Sequence, residues 1–181
     1  MKKDFKLKGI NTIIFDFDGI FTDNNVIINQ EGIESVICSR ADGLAISMLK
    51  KYIILKNLNI DIFILSTETN KVVMKRSEKI KLKCYQAIGS KYTFIKNYFS
   101  NKKIDLDDGL NSLFYIGNDL NDLEIMSKTK QSACPSDAHK LIKNISKIII
   151  HKNGGNGFVR ELVENLISLD QLSYEEIIKI I

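Results

Sequence analysis

No apolar run in this chain comes near the roughly 18 residues that a membrane-spanning helix needs, so no such helix is expected. The start, MKKDFKLKGI, carries lysines with no apolar signal core behind them, which argues against export. Cysteine is scarce. Cys38, Cys84 and Cys134 are odd in number, far apart and form no CxxC pair. That excludes a disulfide framework and a cysteine zinc site, and fits the reduced thiols of a cytoplasmic protein. His139 and His151 are too few and too isolated for a histidine metal centre. The single proline, Pro135, marks no boundary, and there is no repeat, low-complexity tract or linker. Residues 1–181 therefore read as one domain, long enough to bury a substantial core.

What is present is ordinary in bulk. Hydrophobic residues make up 44% and charged residues 27%, with 26 basic and 22 acidic side chains giving a net charge of +4. The densest basic segment, KVVMKRSEKIKLK (71–83), spaces Lys71, Lys75 and Lys79 along one helical face. It reads as a solvated surface that also suits steering of an anionic substrate. No basic run is interleaved with aromatics and no nucleic-acid motif occurs, so a nucleic-acid partner is set aside.

Strand-like and helix-like stretches alternate along the chain. Strands are expected at 10–17, 61–66, 84–88, 112–117, 131–134 and 147–150. Several are continuous apolar runs, as strands covered on both faces should be. Helices are expected at 42–56, 69–80, 90–100, 119–128, 137–145 and 157–169, with a short one at 172–181. The alternation predicts an α/β fold with a doubly wound parallel sheet. One segment breaks the rhythm: VIINQEGIESVIC (26–38) reads as a β-hairpin around NQEG, a flap over about 24–39 inserted after the first strand.

In such sheets ligands bind outside the carboxyl ends of the strands. The first strand ends in Asp16 and Asp18, the second in Ser66 and Thr67, and Lys91 follows the third. The fourth ends in IGNDLND, which supplies Asn118, Asp119 and Asp122. Acids, a hydroxyl and a lysine at four strand ends form a set able to handle a phosphate through a magnesium ion. Each has a plainer reading when taken alone. Asp16 and Asp18 suit an Asp-Gly turn. Ser66 suits a helix cap, Glu68 and Asp122 the first turn of a helix, and Lys91 a surface position. GGNGFVREL (154–162) reads as a turn into a helix, and Asp23 as a residue holding the base of the hairpin.

Taken together and in order, DFDGIFTD, Ser66, Lys91 and GNDLND resemble the haloacid dehalogenase-like phosphohydrolases. RADGLAI, PSDAHK, GGNGFVREL and the early hairpin narrow the resemblance to the capless branch of 3-deoxy-D-manno-octulosonate 8-phosphate phosphatases. Phosphatases of nine-carbon keto-sugar acids and the C-terminal domains of some CMP-sialate synthetases belong to the same branch. The likeness runs from about residue 10 to 165.

The resemblance implies a Rossmann-like fold without a cap domain and a Mg²⁺-dependent hydrolysis of a phosphorylated sugar acid. It makes Asp16 the nucleophile, Asp18 the general acid and base, Ser66 a hydrogen-bond donor to the phosphoryl group and Lys91 the balancing cation. Mg²⁺ falls to the Asp16 carboxylate, the backbone carbonyl of Asp18 and residue 118. Thr67, Glu68 and Arg40 are the further substrate-binding candidates, and a homo-oligomer, a tetramer, is expected to close the site. Three positions depart from the pattern. Asn118 stands where an aspartate is usual, leaving Asp119 and Asp122 as alternate or supporting ligands. Glu68 stands where an arginine is usual, and Arg40 lies one place before the usual arginine, at Ala41. These leave a nine-carbon substrate, or a non-catalytic oligomerisation module, as alternatives.

Overall fold

The computed structural model describes residues 7–181; residues 1–6, whose lysines entered the export reading, lie outside the described residues. The central strand, β1 (Thr12–Phe15), is apolar enough to be buried on both faces, and it is. It pairs in parallel with β4 (Asp61–Leu65), Thr12 opposite Asp61 and Phe15 opposite Ile64. On its other side it pairs with β6 (Leu113–Ile116), again in parallel. β5 (Lys83–Tyr85) extends the sheet beyond β4, while β7 (Gln131–Pro135) and β8 (Ile148–Ile150) extend it beyond β6. The order β5-β4-β1-β6-β7-β8 is doubly wound, and the chain reverses direction across the sheet between β1 and β6.

Helices cover both faces. Ile13 and Phe15 face a core built with α1 (Arg40–Leu55), α2 (Lys71–Ile80), α7 (Phe158–Leu166) and α8 (Tyr174–Ile180). Ile14 faces the opposite core, built with α3 (Lys91–Asn101), α4 (Leu106–Asn111), α5 (Leu123–Lys128) and α6 (Lys140–Ile145). Each large apolar side chain so buried contributes about 1.5–3 kcal/mol, which makes the strand ends a rigid platform for polar residues.

Several boundaries differ from expectation for identifiable reasons. α4 falls in a stretch with no helical apolar pattern. Asp105 caps it by accepting from Asp107 N at 2.9 Å, and Gly109 lets it lie against Phe99, whose ring a Cβ would approach to 2.5 Å. The expected helix 119–128 divides into a 3₁₀ turn (Leu120–Asp122) followed by α5, because the Asp122 side chain folds back onto the preceding backbone. The stretch 157–169 ends as a helix at Leu166. The strand expected at 84–88 stops at Tyr85, and Ala87 takes a left-handed turn with φ 58°. The hairpin is present but short. β2 (Ile27–Ile28) and β3 (Glu34–Ser35) pair antiparallel as a separate two-stranded sheet, and Thr22 bridges Cys38 at its base. Among the described residues it is the insertion between β1 and α1.

Candidate active site

The site begins where β1 runs out of apolar residues. The Asp16 N–H continues the ladder by donating to Ile116 O at 2.8 Å, so the residue is held by the sheet itself. Phe17, Ile20 and Phe21 are buried and anchor the loop that follows. Gly19 turns that loop at φ 70°, a conformation that suits glycine, and its N–H donates to Thr22 Oγ1 at 3.1 Å. The GGNG segment presses on the loop from behind. A Cβ on Gly154 would stand 1.9 Å from Gly19 O, so two backbones meet there with no room for a side chain. GGNGFVREL is therefore more than a turn into α7: it is the wall behind the loop that follows β1. The RADGLAI segment supports the same helix, since the buried Asp42 Oδ1 accepts from Arg160 N at 2.8 Å.

The loops after β4 and β5 are stitched together. Ile88 N–H donates to Ser66 O at 3.2 Å and Ala87 N–H to Glu68 O at 2.9 Å. That brings Lys91, the first residue of α3, beneath the end of β1. Its ammonium is buried, 2.8 Å from Asp16 Oδ1 and 2.7 Å from Asp122 Oδ1. Asp122 is fully engaged: Oδ1 also accepts from Tyr115 OH at 2.7 Å, and Oδ2 accepts from Asn118 N at 2.9 Å and Asp119 N at 3.3 Å. Gly117 leaves space for it, because a Cβ there would lie 2.5 Å from the Asp122 carboxyl carbon.

Asp16 shares its buried cation with a second carboxylate, Asp122. Burial, then the charge of Asp122, pushes the Asp16 carboxyl up to about 8 against the pull of Lys91. Burial alone would lower Lys91, but Asp16 and Asp122 outweigh it and hold the ammonium above its ordinary value. Burial and then the neighbouring charge of Glu68 push Asp18 up to about 6. Burial pushes the Tyr115 hydroxyl far up, so it stays a donor.

Above this floor lies an open cleft of about 330 Å³. Four acids line it: Asp16, Asp18, Glu68 and Asp119. Asn24, Thr67, Asn118 and Asn121 add amides and a hydroxyl, and Leu120 an apolar edge. No lysine, arginine or histidine is among the lining residues. Ser66 is buried at the end of β4, with its Oγ accepting from Glu68 N at 3.0 Å. It does not cap α2; Asn70 does.

Asn118 carries the signature of a missing partner. Its Oδ1 is buried and makes no hydrogen bond. Leaving such an atom unpaired costs about 1–3 kcal/mol, a cost that a bound cation would remove. Asp16 makes both of its contacts through Oδ1, to Lys91 and to Phe17 N, leaving Oδ2 without a hydrogen-bond partner among the described residues. These two oxygens and the Asp18 backbone fit Mg²⁺, which accepts a few protein oxygens and keeps its waters. Among the described residues no group of three or more His, Cys, Asp or Glu is placed to hold a metal. The fit therefore depends on the amide and a backbone carbonyl joining the acids.

Most of the residues singled out from the sequence converge here. Asp16, Asp18, Thr67, Glu68, Asn118 and Asp119 line the cleft, with Ser66 and Lys91 buried at its floor. Two do not. Arg40 is exposed at the start of α1 and is not a lining residue. Asp122, an alternate ligand by sequence, lies behind the cleft with all its bonding spent on Lys91, Tyr115 and backbone. Asp119 lines the cleft, but its Oδ1 accepts from Leu120 N at 2.7 Å as a cap. Tyr115 escaped notice because it sits in an apolar strand run. Its spacing of seven residues from Asp122, across a strand and a turn, was the available signal. Asp23 holds the hairpin base as expected, with Oδ1 accepting from Asn25 N at 3.1 Å.

A family model of haloacid dehalogenase-like hydrolases matches residues 45–162, a segment that excludes Asp16 and Asp18, so those two acids stand as separate support. The 3-deoxy-D-manno-octulosonate 8-phosphate phosphatase of Salmonella typhi is 27% identical over 163 residues, covering 90% of this chain and 81% of that protein. N-acylneuraminate cytidylyltransferase A of Danio rerio is 24% identical over 162 residues, covering 88% of this chain and 35% of that protein. Among solved structures, a HAD family hydrolase from Streptomyces avermitilis superposes with a TM-score of 0.82 at 30% identity, covering 97% of this chain and 96% of that one. The Moraxella catarrhalis octulosonate 8-phosphate phosphatase, solved with magnesium, phosphate and KDO, superposes at 0.77 with 27% identity, covering 91% of each chain.

Proposed function

From the premise that the chain belongs to the haloacid dehalogenase-like hydrolases, we propose that it is a Mg²⁺-dependent phosphatase of a phosphorylated keto-deoxy sugar acid, of the 3-deoxy-D-manno-octulosonate 8-phosphate type. The observation that carries this reading is the buried Lys91 ammonium, held 2.8 Å from Asp16 at the floor of an open cleft. A buried carboxylate kept beside a fixed cation suits attack on a phosphate monoester, where positioning and charge compensation do most of the work.

The Asp16 carboxylate attacks phosphorus, forming an aspartyl phosphate as the bond to the sugar oxygen breaks. Asp18 donates its proton to that departing oxygen; a carboxyl pushed up to about 6 holds a usable proton near neutrality. The resulting Asp18 carboxylate takes a proton from water, which then attacks the aspartyl phosphate, releases phosphate and regenerates Asp16. Lys91 offsets charge on Asp16 and the phosphoryl oxygens, and the Ser66 hydroxyl donates to one of those oxygens. Asp16, the Asp18 backbone carbonyl and Asn118 Oδ1 would hold Mg²⁺, which would supply positive charge between the two anions.

The reading extends to a homo-oligomer, a tetramer, in the cytoplasm, a compartment that suits the free Cys38, Cys84 and Cys134. A nine-carbon sugar acid 9-phosphate is the alternative substrate. The likeness to a cytidylyltransferase raises a non-catalytic module as a second reading. The intact Asp16, Asp18, Ser66 and Lys91 set speaks for the enzyme. Phosphate release from p-nitrophenyl phosphate, with and without Mg²⁺, tests it; no release at any Mg²⁺ concentration would leave the module.

A further inference from the structure

The loop after β1 contains a buried threonine that the mechanism above leaves unused. Thr22 is fully buried. Its backbone is wedged between two segments: it bridges Cys38 at the base of the hairpin, and a Cβ on Gly155 would stand 2.5 Å from its carbonyl carbon. The side chain turns back onto its own loop, where Oγ1 accepts from Gly19 N at 3.1 Å and from Asn24 N at 3.2 Å. A hydroxyl has two lone pairs and one proton. Both lone pairs are thus taken by N–H groups that the backbone holds in place, which leaves the proton one direction to point. The group it meets there is the carboxyl of Asp18.

Asp18 needs such a partner. Glu68 and Glu34 repel its carboxylate and Lys91 attracts it, so charge alone would turn it toward the floor of the cleft, away from a departing oxygen. Resting on the phosphatase reading above, we infer that Thr22 is the positioning residue of the general acid: its hydroxyl donates to one oxygen of the Asp18 carboxyl, and the proton that Asp18 delivers is held on the other, facing the cleft. A carboxylic acid carries its proton on one of two oxygens, and the oxygen already accepting a hydrogen bond is the poorer place for it. After delivery the same hydrogen bond stabilises the carboxylate and holds it at the angle from which it takes a proton from water. Thr22 does not line the cleft; it acts through Asp18.

The plainer role for Thr22 is to pair the two amides and so stabilise the loop. Leaving groups separate the two roles. p-Nitrophenolate departs as a stable anion with little help from an acid, whereas phenolate departs readily only when it is given a proton. Their phosphate esters are alike in shape, so a loosened loop slows both equally. The full chain is assayed with Mg²⁺ and kcat/KM is compared, because it covers the steps through departure of the phenol and leaves out the later hydrolysis. Thr22→Val keeps the shape and removes the hydroxyl. It should lower kcat/KM for phenyl phosphate at least about tenfold more than for p-nitrophenyl phosphate, out of the roughly 10²–10⁴ that a general acid supplies. Thr22→Ser keeps the hydroxyl and should hold the ratio of the two within about threefold of the unmodified protein. Equal losses on both esters overturn the inference, as does a Thr22→Ser protein that behaves like Thr22→Val. Removing the hydroxyl leaves two N–H groups without a partner and can unfold the loop, so the unmodified protein supplies a second readout. Its Thr22 hydroxyl proton should exchange slowly enough to give its own NMR signal, and Asp18→Asn should shift that signal. A hydroxyl proton in fast exchange with water overturns the inference with no change made at Thr22. Loss of the phosphatase reading shows separately, as absent phosphate release from either ester by the unmodified protein.

Discussion

Gly19 lies directly against the side chain of Asn118: a Cβ on Gly19 would stand 1.9 Å from Asn118 Nδ2 and 2.6 Å from its Cγ. The loop after β1 therefore sets the position of the amide whose buried Oδ1 makes no hydrogen bond. Gly19→Ala must both strain a backbone at φ 70° and push Asn118 away. The strain costs about 1 kcal/mol of stability. The displacement should raise the Mg²⁺ concentration for half-maximal activity at least about tenfold. A magnesium titration of phosphate release checks this, and an unshifted midpoint would detach Asn118 from the metal.

Asn118→Asp tests the same position from the other side. A carboxylate adds a charge facing the ion, so the magnesium midpoint should fall. An unchanged midpoint would mean that residue 118 does not touch the metal.

Asp16→Asn should reduce turnover below about a hundredth, a loss of more than roughly 3 kcal/mol, since an amide forms no acyl phosphate. It should also alter stability in a pH-dependent way. The Asp16 carboxyl is raised from 3.8 to about 8 by burial and Asp122. Between those values the folded metal-free protein keeps a proton that the unfolded chain releases, so its stability falls as pH rises. Asp16→Asn should flatten that slope, while Lys91 keeps Asp122 as partner. Mg²⁺ should stabilise the unmodified protein more near pH 8 than near pH 5, because its ligand must be ionised. Melting temperatures across that range, with and without metal, decide the matter.

The strand ends were readable from sequence because each apolar run stops at a polar residue, and a parallel sheet turns such stops into one site. The order of those stops carried the family. What sequence could not show is which polar atoms are spent. Asp119 and Asp122 look equivalent in GNDLND, yet only the fold shows Asp119 at the cleft and Asp122 clamped behind it. Helix ends were legible where a capping residue stood at the boundary, as with Ser90 before Lys91. They failed where tertiary packing overrode local pattern, as at Gly109 against Phe99. The close contact of Gly154 with Gly19 joins segments 135 residues apart in sequence (154 minus 19), so a reading of local composition sees only a flexible turn.

The Lys91 clamp yields a graded prediction. Asp122→Ala removes one partner of a buried ion pair, leaves Tyr115 OH and two backbone N–H groups unpaired, and should cost about 3–5 kcal/mol. Tyr115→Phe removes a single buried donor and should cost about 1 kcal/mol. Its larger effect should be on kcat rather than KM, because Asp122 then draws Lys91 away from Asp16 and the phosphoryl group. Urea melts combined with steady-state kinetics separate the two. Equal loss in kcat for Tyr115→Phe and for a core substitution of the same stability cost would remove Tyr115 from the positioning of Lys91.

The hairpin gives the last prediction. Val26, Ile27, Ile28, Ile33 and Ile37 are 51–63% exposed, and neighbouring residues of a strand point to opposite faces, so Ile27 and Ile28 make both faces apolar. A two-stranded hairpin with two residues in each strand is marginal alone. Among the described residues, Asn70 Nδ2 donates to Glu34 Oε2 at 2.5 Å and ties it to the loop before α2. Apolar surface of this kind, next to an uncapped active site, calls for cover, and a second copy of the chain supplies it in the proposed oligomer. The unmodified protein should therefore run as a multiple of the monomer mass in light scattering. Ile28→Lys with Ile33→Lys should give monomers with a near-native melting profile, since these side chains leave no hole in either core. Activity on a sugar acid phosphate should fall more than activity on p-nitrophenyl phosphate, because the partner covers the outer cleft rather than the phosphoryl site. A monomeric unmodified protein at every concentration tested would sink the oligomer, and with it the account of how the cleft is closed.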